Sequence, residues 1–461
     1  VQSEFGLCCP MSMTDSAAWV LEEFASPELK QKYLPFLTST DMNERLTAAQ
    51  FMTEKQGGSD VGANTLTAKK SGRHWKLWGD KWFCSNVSAD IALVLARPEG
   101  SEQGTKGLAM FLVPKRLENG EHNYFRINRL KDKLGTKDMA SGEVTFEGAI
   151  GYVVGKIENG FKQMMAMVNS SRLSNAVRSA GMMRRSYLEA LVYARGRKAF
   201  GQPLIKLPLM KENIFELLLD TEAAVSMIFY TANIFDKSDR GDDQSKVLLR
   251  ILTPLLKGYI CKRARYVTAE AMEVRGGNGY IEEWVNPKLV RDAHLGSIWE
   301  GTTNIVALDV LRAITKDDAG NVLLNDLENR LMRLENHYVR RAVKLLQWKV
   351  DRVKEQIGRI IHEKTVEHEV SAKRFMERLY HLCVSGLMLE EAEYQFSQDE
   401  SYRKLFLFLH YFQRYLNHGD GGMIFDNTIH EWLDSVIDWE QIPEHVIEEL
   451  LNETESVLTG I

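Results

Sequence analysis

The segment SIWEGTTNI, residues 297–305, places one carboxylate where it could act as a general base. Glu300 stands between the indole of Trp299 and a glycine, just before a stretch with helical apolar spacing. Thr302 or Thr303 can cap that helix, and a helix N-terminus accepts phosphate. A lone glutamate is more often a capping or surface carboxylate, so this segment needs support from elsewhere in the chain.

A glycine-rich segment, EVRGGNGYIEE at residues 273–283, comes shortly before. Its three glycines, Gly276, Gly277 and Gly279, predict a turn lined by backbone atoms. The spacing is not G-x-G-x-x-G and no strand-like stretch precedes it, so the pattern does not predict a Rossmann dinucleotide site.

Two further segments combine small, hydroxyl and aromatic residues. TEKQGGSD, residues 53–60, follows a strand-like stretch, and its paired glycines let backbone N–H groups approach an anion closely. KWFCSN, residues 81–86, sets an aromatic ring beside a small hydroxyl, a combination that could flank a flat ring. Taken singly, a strand-ending turn explains the first segment, and a half-buried strand explains the second equally well.

The elements that must position these residues are segregated along the chain. The chain begins with helical spacing, continues with strand-like runs, and then has long helices and a last group of helices. This order predicts an α+β fold and not alternating βαβ units. Residues 14–16 predict a helix cap, and residues 418–422 predict a break in the last helical group. The predicted segments are 1–45, 46–158, 159–320 and 321–461.

Composition is that of an ordinary globular protein. The 461 residues are 44% hydrophobic and 26% charged, with a net charge of -5. No run approaches the ~18 apolar residues of a membrane span, and no basic signal-peptide region opens the chain. Five cysteines without C-x-x-C spacing argue against a disulfide framework and a zinc site. We therefore expect a cytoplasmic protein without a metal or a membrane anchor.

Taken together, these motifs resemble one family. Residues 53–60 and 273–292 resemble the two signature segments of the acyl-CoA dehydrogenases, and residues 299–302 resemble the segment that carries the family's base. The resemblance covers about residues 45–317. Finer likeness to the alkylation-response (adaptive-response) branch lies in MTEKQGGSD at 52–60, RLKDKLG at 129–135 and PLIKLPLM at 203–210.

The resemblance implies the fold in more detail. It identifies residues 1–45 as a remnant of an N-terminal helical domain and residues 46–158 as a β-barrel-like middle domain. Residues 159–320 would form a C-terminal four-helix bundle, and residues 321–461 an additional acidic helical extension.

The implied reaction is the FAD-dependent α,β-dehydrogenation of an acyl-CoA thioester. Glu300 would remove the α-proton while the β-hydrogen leaves as hydride to flavin N5, giving a trans-2-enoyl-CoA. Some family members place the base directly before an arginine that resembles Arg172. Here Ser171 occupies that place and cannot act as the base, so the assignment falls on Glu300.

The resemblance also implies a set of binding residues. For the flavin ring these are Thr53, Phe83 and Ser85. For the rest of FAD, in part across a subunit interface, they are Arg197, Phe200, Glu273, Gly276, Gly277, Thr302 and Asn304. For the acyl-CoA they are Ser59, Arg172, Trp299 and Gly301.

The implied partners are an acyl-CoA substrate, an electron-transferring flavoprotein and further copies of the chain in a homodimer or homotetramer. Two alternatives stay open: an acyl-CoA oxidase, and a largely non-catalytic flavoprotein that binds nucleic acid. Residues 321–461 hold 16 Lys and Arg against 25 Asp and Glu, and this net charge of -9 disfavours phosphate binding. Nucleic acid is therefore not the expected partner.

Overall fold

The computed structural model describes residues 1–363, 365–417 and 426–459. The chain forms two compact units. The first holds Ser3–Ser174 and Ile298–Gly301, and the second holds Asn175–Ser297 and Thr302–Ile461. The four-segment division expected from the sequence stays a prediction.

Two helices open the first unit, α1 (Cys8–Phe24) and α2 (Pro27–Leu37). Helix α2 begins as helix-start rules expect, because the Ser26 hydroxyl accepts a hydrogen bond from the Leu29 N–H at 3.4 Å and Pro27 follows the cap. The predicted cap at residues 14–16 is wrong. Those residues lie inside α1, where the Thr14 hydroxyl donates to the Pro10 carbonyl at 2.8 Å.

A seven-stranded sheet follows and closes into a barrel. Strand β4 pairs with β2 and β5, while β3 joins β2 to β7 and β7 also pairs with β5. Strands β1 and β6 are added outside this ring, on β4 and β7. The β-barrel-like expectation is therefore confirmed. The strands are β1 (Ala48–Phe51), β2 (Thr67–Ser71), β3 (His74–Ser85), β4 (Ile91–Pro98), β5 (Ala109–Pro114), β6 (Phe125–Leu130) and β7 (Ser141–Val153).

The two faces of the barrel wall belong to different apolar cores. Along β4, Val94 faces a cluster that contains Phe111 and Phe146, while Leu93 faces a cluster shared with α1 and α2. Strand side chains alternate between faces, so a strand buried on both faces is apolar throughout. Each large side chain fully buried in this way stabilises the fold by about 1.5–3 kcal/mol.

The second unit is almost wholly helical. Helix α3 starts in the first unit and continues into the second, and a short hairpin of β8 and β9 leads to α4. The Asp242 side chain caps α5 by accepting from the Ser245 N–H at 2.9 Å. The elements are α3 (Gly160–Gly196), β8 (Lys198–Ala199), β9 (Gln202–Pro203), α4 (Pro208–Asp239), α5 (Asp243–Val274), α6 (Gly277–Tyr280), α7 (Asn286–Gly296), α8 (Thr303–Asp317), α9 (Ala319–Leu331), α10 (His337–His362), α11 (Val366–Asp399), α12 (Arg403–Tyr415), α13 (Asp426–Ile437) and α14 (Glu444–Thr459).

The helices beyond residue 320 pack on the bundle. Helix α11 contacts α4, α5 and α8, and α13 contacts α4. Apolar and aromatic residues at helical spacing in this region form buried faces, with Tyr338 half-buried and the others at most 6% exposed. These others are Leu331, Leu334, Tyr380, Val384 and Leu387. The break predicted at 418–422 lies outside the described residues.

Within the described ranges, no helix is both long enough and apolar enough to cross a membrane. In the same part of the chain, His, Cys, Asp and Glu side chains form no group of three or more that could hold a metal ion.

Candidate functional site

Glu300 has an unusual backbone conformation in the first unit. Its φ is +55°, and Gly301 follows with φ +100°. A left-handed conformation costs a non-glycine residue roughly 1–2 kcal/mol, and such strain concentrates at functional sites. The Glu300 carbonyl accepts a hydrogen bond from Nε of Arg172 at 3.2 Å. Because Arg172 is only 3% exposed, a buried guanidinium fixes the peptide that carries the half-buried Glu300 side chain.

The neighbouring Trp299 anchors the same segment. Its ring stacks on Phe5 with centroids 5.7 Å apart and an interplanar angle of 28°. Trp299 also packs against the cluster formed by α1, α2 and the outer face of the barrel. The base candidate therefore projects from a segment that is held on both sides, by Arg172 and by Trp299.

The loop 53–60 is tied to strand β3 at its beginning. The Trp82 N–H donates to the Thr53 carbonyl at 2.9 Å. Next to it, Lys81 Nζ binds the Met52 carbonyl at 3.0 Å and Glu54 Oε1 at 2.8 Å. The Lys81 and Glu54 side chains are 0% and 2% exposed. This buried ion pair leaves the half-buried Thr53 and the exposed Ser59 on a fixed loop.

The Glu54–Lys81 pair has perturbed titration. Burial alone would raise the pKa of Glu54, but the Lys81 ammonium and several hydrogen bonds lower that pKa to about 2. Burial lowers the pKa of Lys81, and Glu54 opposes that shift. Sequence reasoning missed this pair. The sequence feature that could have revealed the pair is Lys81 itself, since strand periodicity places this lysine on the inward face of β3.

A bulge near the end of β3 turns one aromatic ring outwards. The β3–β7 register shifts between Lys81 and Cys84, so Phe83 is 53% exposed while Cys84 is buried. Bulges commonly re-aim a side chain in this way. Ser85 ends the strand with its Oγ 3.1 Å from Ser141 Oγ. The first unit thus brings together three predicted flavin contacts, Thr53, Phe83 and Ser85, on two hydrogen-bonded segments.

In the second unit, the hairpin of β8 and β9 presents Phe200 to solvent. Phe200 and Gly201 have φ values of +52° and +81°, as a two-residue type I′ turn requires. Phe200 is 92% exposed. Arg197 precedes the hairpin as an exposed cation, and its carbonyl accepts from the Leu204 N–H at 2.8 Å. Both predicted residues are accessible from outside this unit.

The three glycines of the glycine-rich turn have different reasons to be glycine. The fold accounts for Gly276 and Gly279 but not for Gly277. Gly276 has φ +62° and ψ -143°, a conformation that favours glycine. A Cβ on Gly279 would lie 2.1 Å from the Met272 carbonyl oxygen. A Cβ on Gly277 would meet no atom of the described residues within 4 Å. Gly277 and the exposed Glu273 therefore border space that a ligand could use.

Arg275 beside this turn was missed by sequence reasoning. Its guanidinium lies 4.4 Å from the Trp284 ring centroid and 5.1 Å from that of Tyr193, and it pairs with Glu189 at 2.6 Å. These contacts hold the turn against α3. A single arginine among charged helix residues gives no sequence signal for such a role.

The N-terminus of α8 is the last predicted element of the second unit. Thr302 is the backbone N-cap, but its side chain makes no capping bond to the described residues. Thr302 and Asn304 are both exposed. The first N–H groups of a helix lack intrahelical partners and attract anions, so this end of α8 suits a phosphate.

Two family profiles match the chain. The acyl-CoA dehydrogenase middle domain matches residues 49–149, and the acyl-CoA dehydrogenase C-terminal domain matches residues 158–315. AidB of Escherichia coli is described as an acyl-CoA dehydrogenase. It is 38% identical over 369 residues, which cover 78% of this chain and 66% of AidB. Acyl-CoA dehydrogenase family member 11 of Caenorhabditis elegans is 38% identical over 327 residues, covering 68% of this chain and 53% of the relative.

A solved structure agrees with these matches. Caenorhabditis elegans ACDH-11 in complex with C11-CoA superimposes with a TM-score of 0.82 at 30% identity, covering 88% of this chain and 71% of that one. The chain spans about half to two thirds of the length of the two curated relatives. The likeness to AidB confirms the finer resemblance to the alkylation-response branch. The chain belongs to the acyl-CoA dehydrogenase family, whose members are FAD-dependent flavoproteins.

Proposed function

We propose that this protein catalyses the FAD-dependent α,β-dehydrogenation of an acyl-CoA thioester, with Glu300 as the base. The observation that carries the proposal is the strained Glu300 peptide, fixed by the buried Arg172 at 3.2 Å in a chain of this family. Backbone strain concentrates at functional sites, and a residue held in such a conformation has the fixed orientation that a catalytic base needs.

Each unit by itself offers groups that fit one part of FAD. In the first unit, the Thr53 and Ser85 hydroxyls and the exposed Phe83 ring suit a flat, polar-edged isoalloxazine. In the second unit, Arg197 and the open backbone at Gly277 suit the dinucleotide end. When bound, FAD supplies the acceptor for the hydride that leaves the β-carbon.

The remaining binding assignments follow the family resemblance. For the pyrophosphate and adenosine of FAD we assign Phe200, Glu273, Gly276, Thr302 and Asn304. For the acyl-CoA we assign Ser59 to the pantetheine arm, and Arg172, Trp299 and Gly301 to the region beside the thioester.

The proposed chemistry needs two actions from one residue. The Glu300 carboxylate takes the α-proton, and the Glu300 backbone N–H donates to the thioester oxygen as that oxygen gains negative charge. Arg172 contributes by fixing the Glu300 peptide, because holding a base in its reactive orientation removes much of the entropic barrier. Both actions depend on the backbone geometry of the same residue.

The proposed partners are an electron-transferring flavoprotein, as electron acceptor, and further copies of the chain. Phe200 is 92% exposed at a hairpin tip, and covering its ring by a second copy of the chain would remove apolar surface from water. A homodimer or homotetramer would cover it. Cytoplasmic location stays a prediction.

Anaerobic titration of the purified protein with a panel of acyl-CoAs tests this function. We expect a yellow protein with non-covalent FAD whose flavin absorbance bleaches with at least one acyl-CoA. A colourless protein that takes up no added FAD would contradict the proposal, as would a flavin that no acyl-CoA reduces. Rapid reoxidation by dioxygen alone would favour the oxidase alternative.

A further inference from the structure

Lys131, in the segment that follows β6, contacts the aromatic pair at the β3 bulge. Its Nζ lies 3.1 Å from the Trp82 ring centroid and 4.9 Å from the Phe83 ring centroid. The Lys131 side chain is only 10% exposed, and it pairs with Glu143 Oε1 at 2.5 Å. An ammonium over an aromatic face is attracted more strongly when it is withdrawn from water.

The backbone of Lys131 reaches the other predicted flavin contact. Its N–H donates to the Ser141 carbonyl at 2.8 Å. Ser141 Oγ in turn lies 3.1 Å from Ser85 Oγ. One residue therefore connects to Phe83 through its side chain and to Ser85 through Ser141.

The bulge between Lys81 and Cys84 is one of two places where β3 loses its register with β7. The ladder is locally disrupted there, and Trp82 and Phe83 have no backbone partner on β7. The Lys131 ammonium, itself oriented by Glu143, supplies a side-chain contact at that point. Lys55, from the loop 53–60, adds a second cation 5.3 Å from the Trp82 ring centroid.

We propose that Lys131 is a positioning residue that holds the bulge of Trp82 and Phe83 so that the Phe83 ring faces the isoalloxazine of FAD. This inference rests on the proposed function, which makes Phe83 a flavin contact. Lys131 touches neither substrate nor the reacting atoms in this account; it acts through the two rings.

The test compares three variants of the full chain, each stripped of flavin and titrated with FAD. Lys131→Met keeps the aliphatic stem and removes the charge, while Lys131→Arg keeps the cation. Lys76→Met is the matched control, because Lys76 is an exposed lysine on β3, the strand that carries Trp82 and Phe83. The measurements are the FAD dissociation constant and the visible circular dichroism of the bound flavin.

We expect Lys131→Met to weaken FAD binding about tenfold, as loss of a desolvated cation–π contact would, and to change the flavin dichroism. Lys131→Arg and Lys76→Met should match the wild type in both measurements. Wild-type affinity and dichroism in Lys131→Met would overturn the inference, as would failure of arginine to restore them. A wild type that takes up no FAD would instead defeat the proposed function.

A second variant keeps the inference testable if Lys131→Met does not fold. Trp82→Leu removes the ring but leaves the Lys131–Glu143 pair, and it should weaken FAD binding to the same extent. Where both single variants fold, the double variant should bind FAD no more weakly than either one, because both changes remove one shared contact. Additive losses would overturn the inference.

Discussion

Two glutamates of the first unit have opposite environments. Glu54 is enclosed, and Lys81 with its hydrogen bonds lowers the Glu54 pKa to about 2. A carboxylate of such low basicity takes up a proton poorly at neutral pH. Glu300 is half-buried on a strained, externally fixed peptide. At the scale of single residues, the first carboxylate therefore stabilises the loop, and the second is the one that we propose as the base.

The ion pair makes a stability prediction. Glu54→Gln should lower the free energy of unfolding by about 3 kcal/mol, because it leaves the fully buried Lys81 ammonium without a negatively charged partner. Urea denaturation measures the loss. The double variant Glu54→Gln with Lys81→Met should recover part of it. Single and double variants of equal stability would show that the pair is not coupled.

At the scale of elements, local irregularities expose several of the predicted binding groups. The bulge in β3 exposes Phe83, the hairpin of β8 and β9 exposes Phe200, and the turn before α6 leaves Gly277 open. The side chains in the regular parts of the same elements pack against the rest of the unit. The predicted ligand contacts therefore lie where regular pairing is interrupted and the backbone or one side chain becomes accessible.

Alanine substitutions at the glycine turn should separate folding from binding. Gly277→Ala should leave the melting temperature unchanged, since its Cβ would meet no described atom within 4 Å, but should weaken FAD binding. Gly276→Ala should cost about 1–3 kcal/mol of stability, because an alanine is strained at φ +62°. Calorimetry and FAD titration check both. This expectation would be contradicted if Gly277→Ala lowered the melting temperature as much as Gly276→Ala does, or if Gly277→Ala left the FAD affinity unchanged.

At the scale of the whole molecule, the acidic extension belongs structurally to the bundle of the second unit. Glu222 of α4 pairs with Arg403 at 2.5 Å and with Lys404 at 2.6 Å, both from α12. Asp220 accepts from Tyr415 of α12 at 2.6 Å. Charged groups of the extension are thus paired inward, and its net charge of -9 would repel a polyanion.

Removal of residues 321–461 tests this packing role. We expect lower solubility or a changed oligomeric state, because α4 and α5 would lose the helices that cover them. Affinity for duplex DNA should stay the same or rise. Size-exclusion chromatography and a salt titration of DNA binding measure both effects. A soluble deletion variant with unchanged assembly and lost salt-sensitive DNA binding would defeat this account.

The same buried pairing predicts acid sensitivity. Burial would raise the pKa of Glu222, but Lys404 and Arg403 lower it from the ordinary 4.5 to about 2. Because the folded pKa lies below the unfolded one, Glu222 contributes about 3 kcal/mol above pH 4.5, and this is lost as the pH falls towards 2. Denaturation at several pH values should show a shallower acid decline in Glu222→Gln. Identical declines would exclude this assignment.

The sequence predicts the segregated α+β order and the residues around Glu300 because both depend on local spacing and motif. It does not predict the Glu54–Lys81 pair or the stacking of Arg275, since these join residues that are distant or lack a pattern. The wrong cap at residues 14–16 has a similar cause. Thr14, Asp15 and Ser16 favour a helix start, but burial of side chains on both sides of them favours a longer helix that begins at Cys8.

The role of Glu300 as the base is tested most directly by one substitution. Glu300→Gln keeps the shape of the side chain and removes its basicity, so FAD content should be unchanged. Stopped-flow reduction of the flavin by the best acyl-CoA, measured without oxygen, should be slower by roughly 10³-fold or more. Reduction of the variant at nearly the wild-type rate would contradict the assignment of Glu300 as the base.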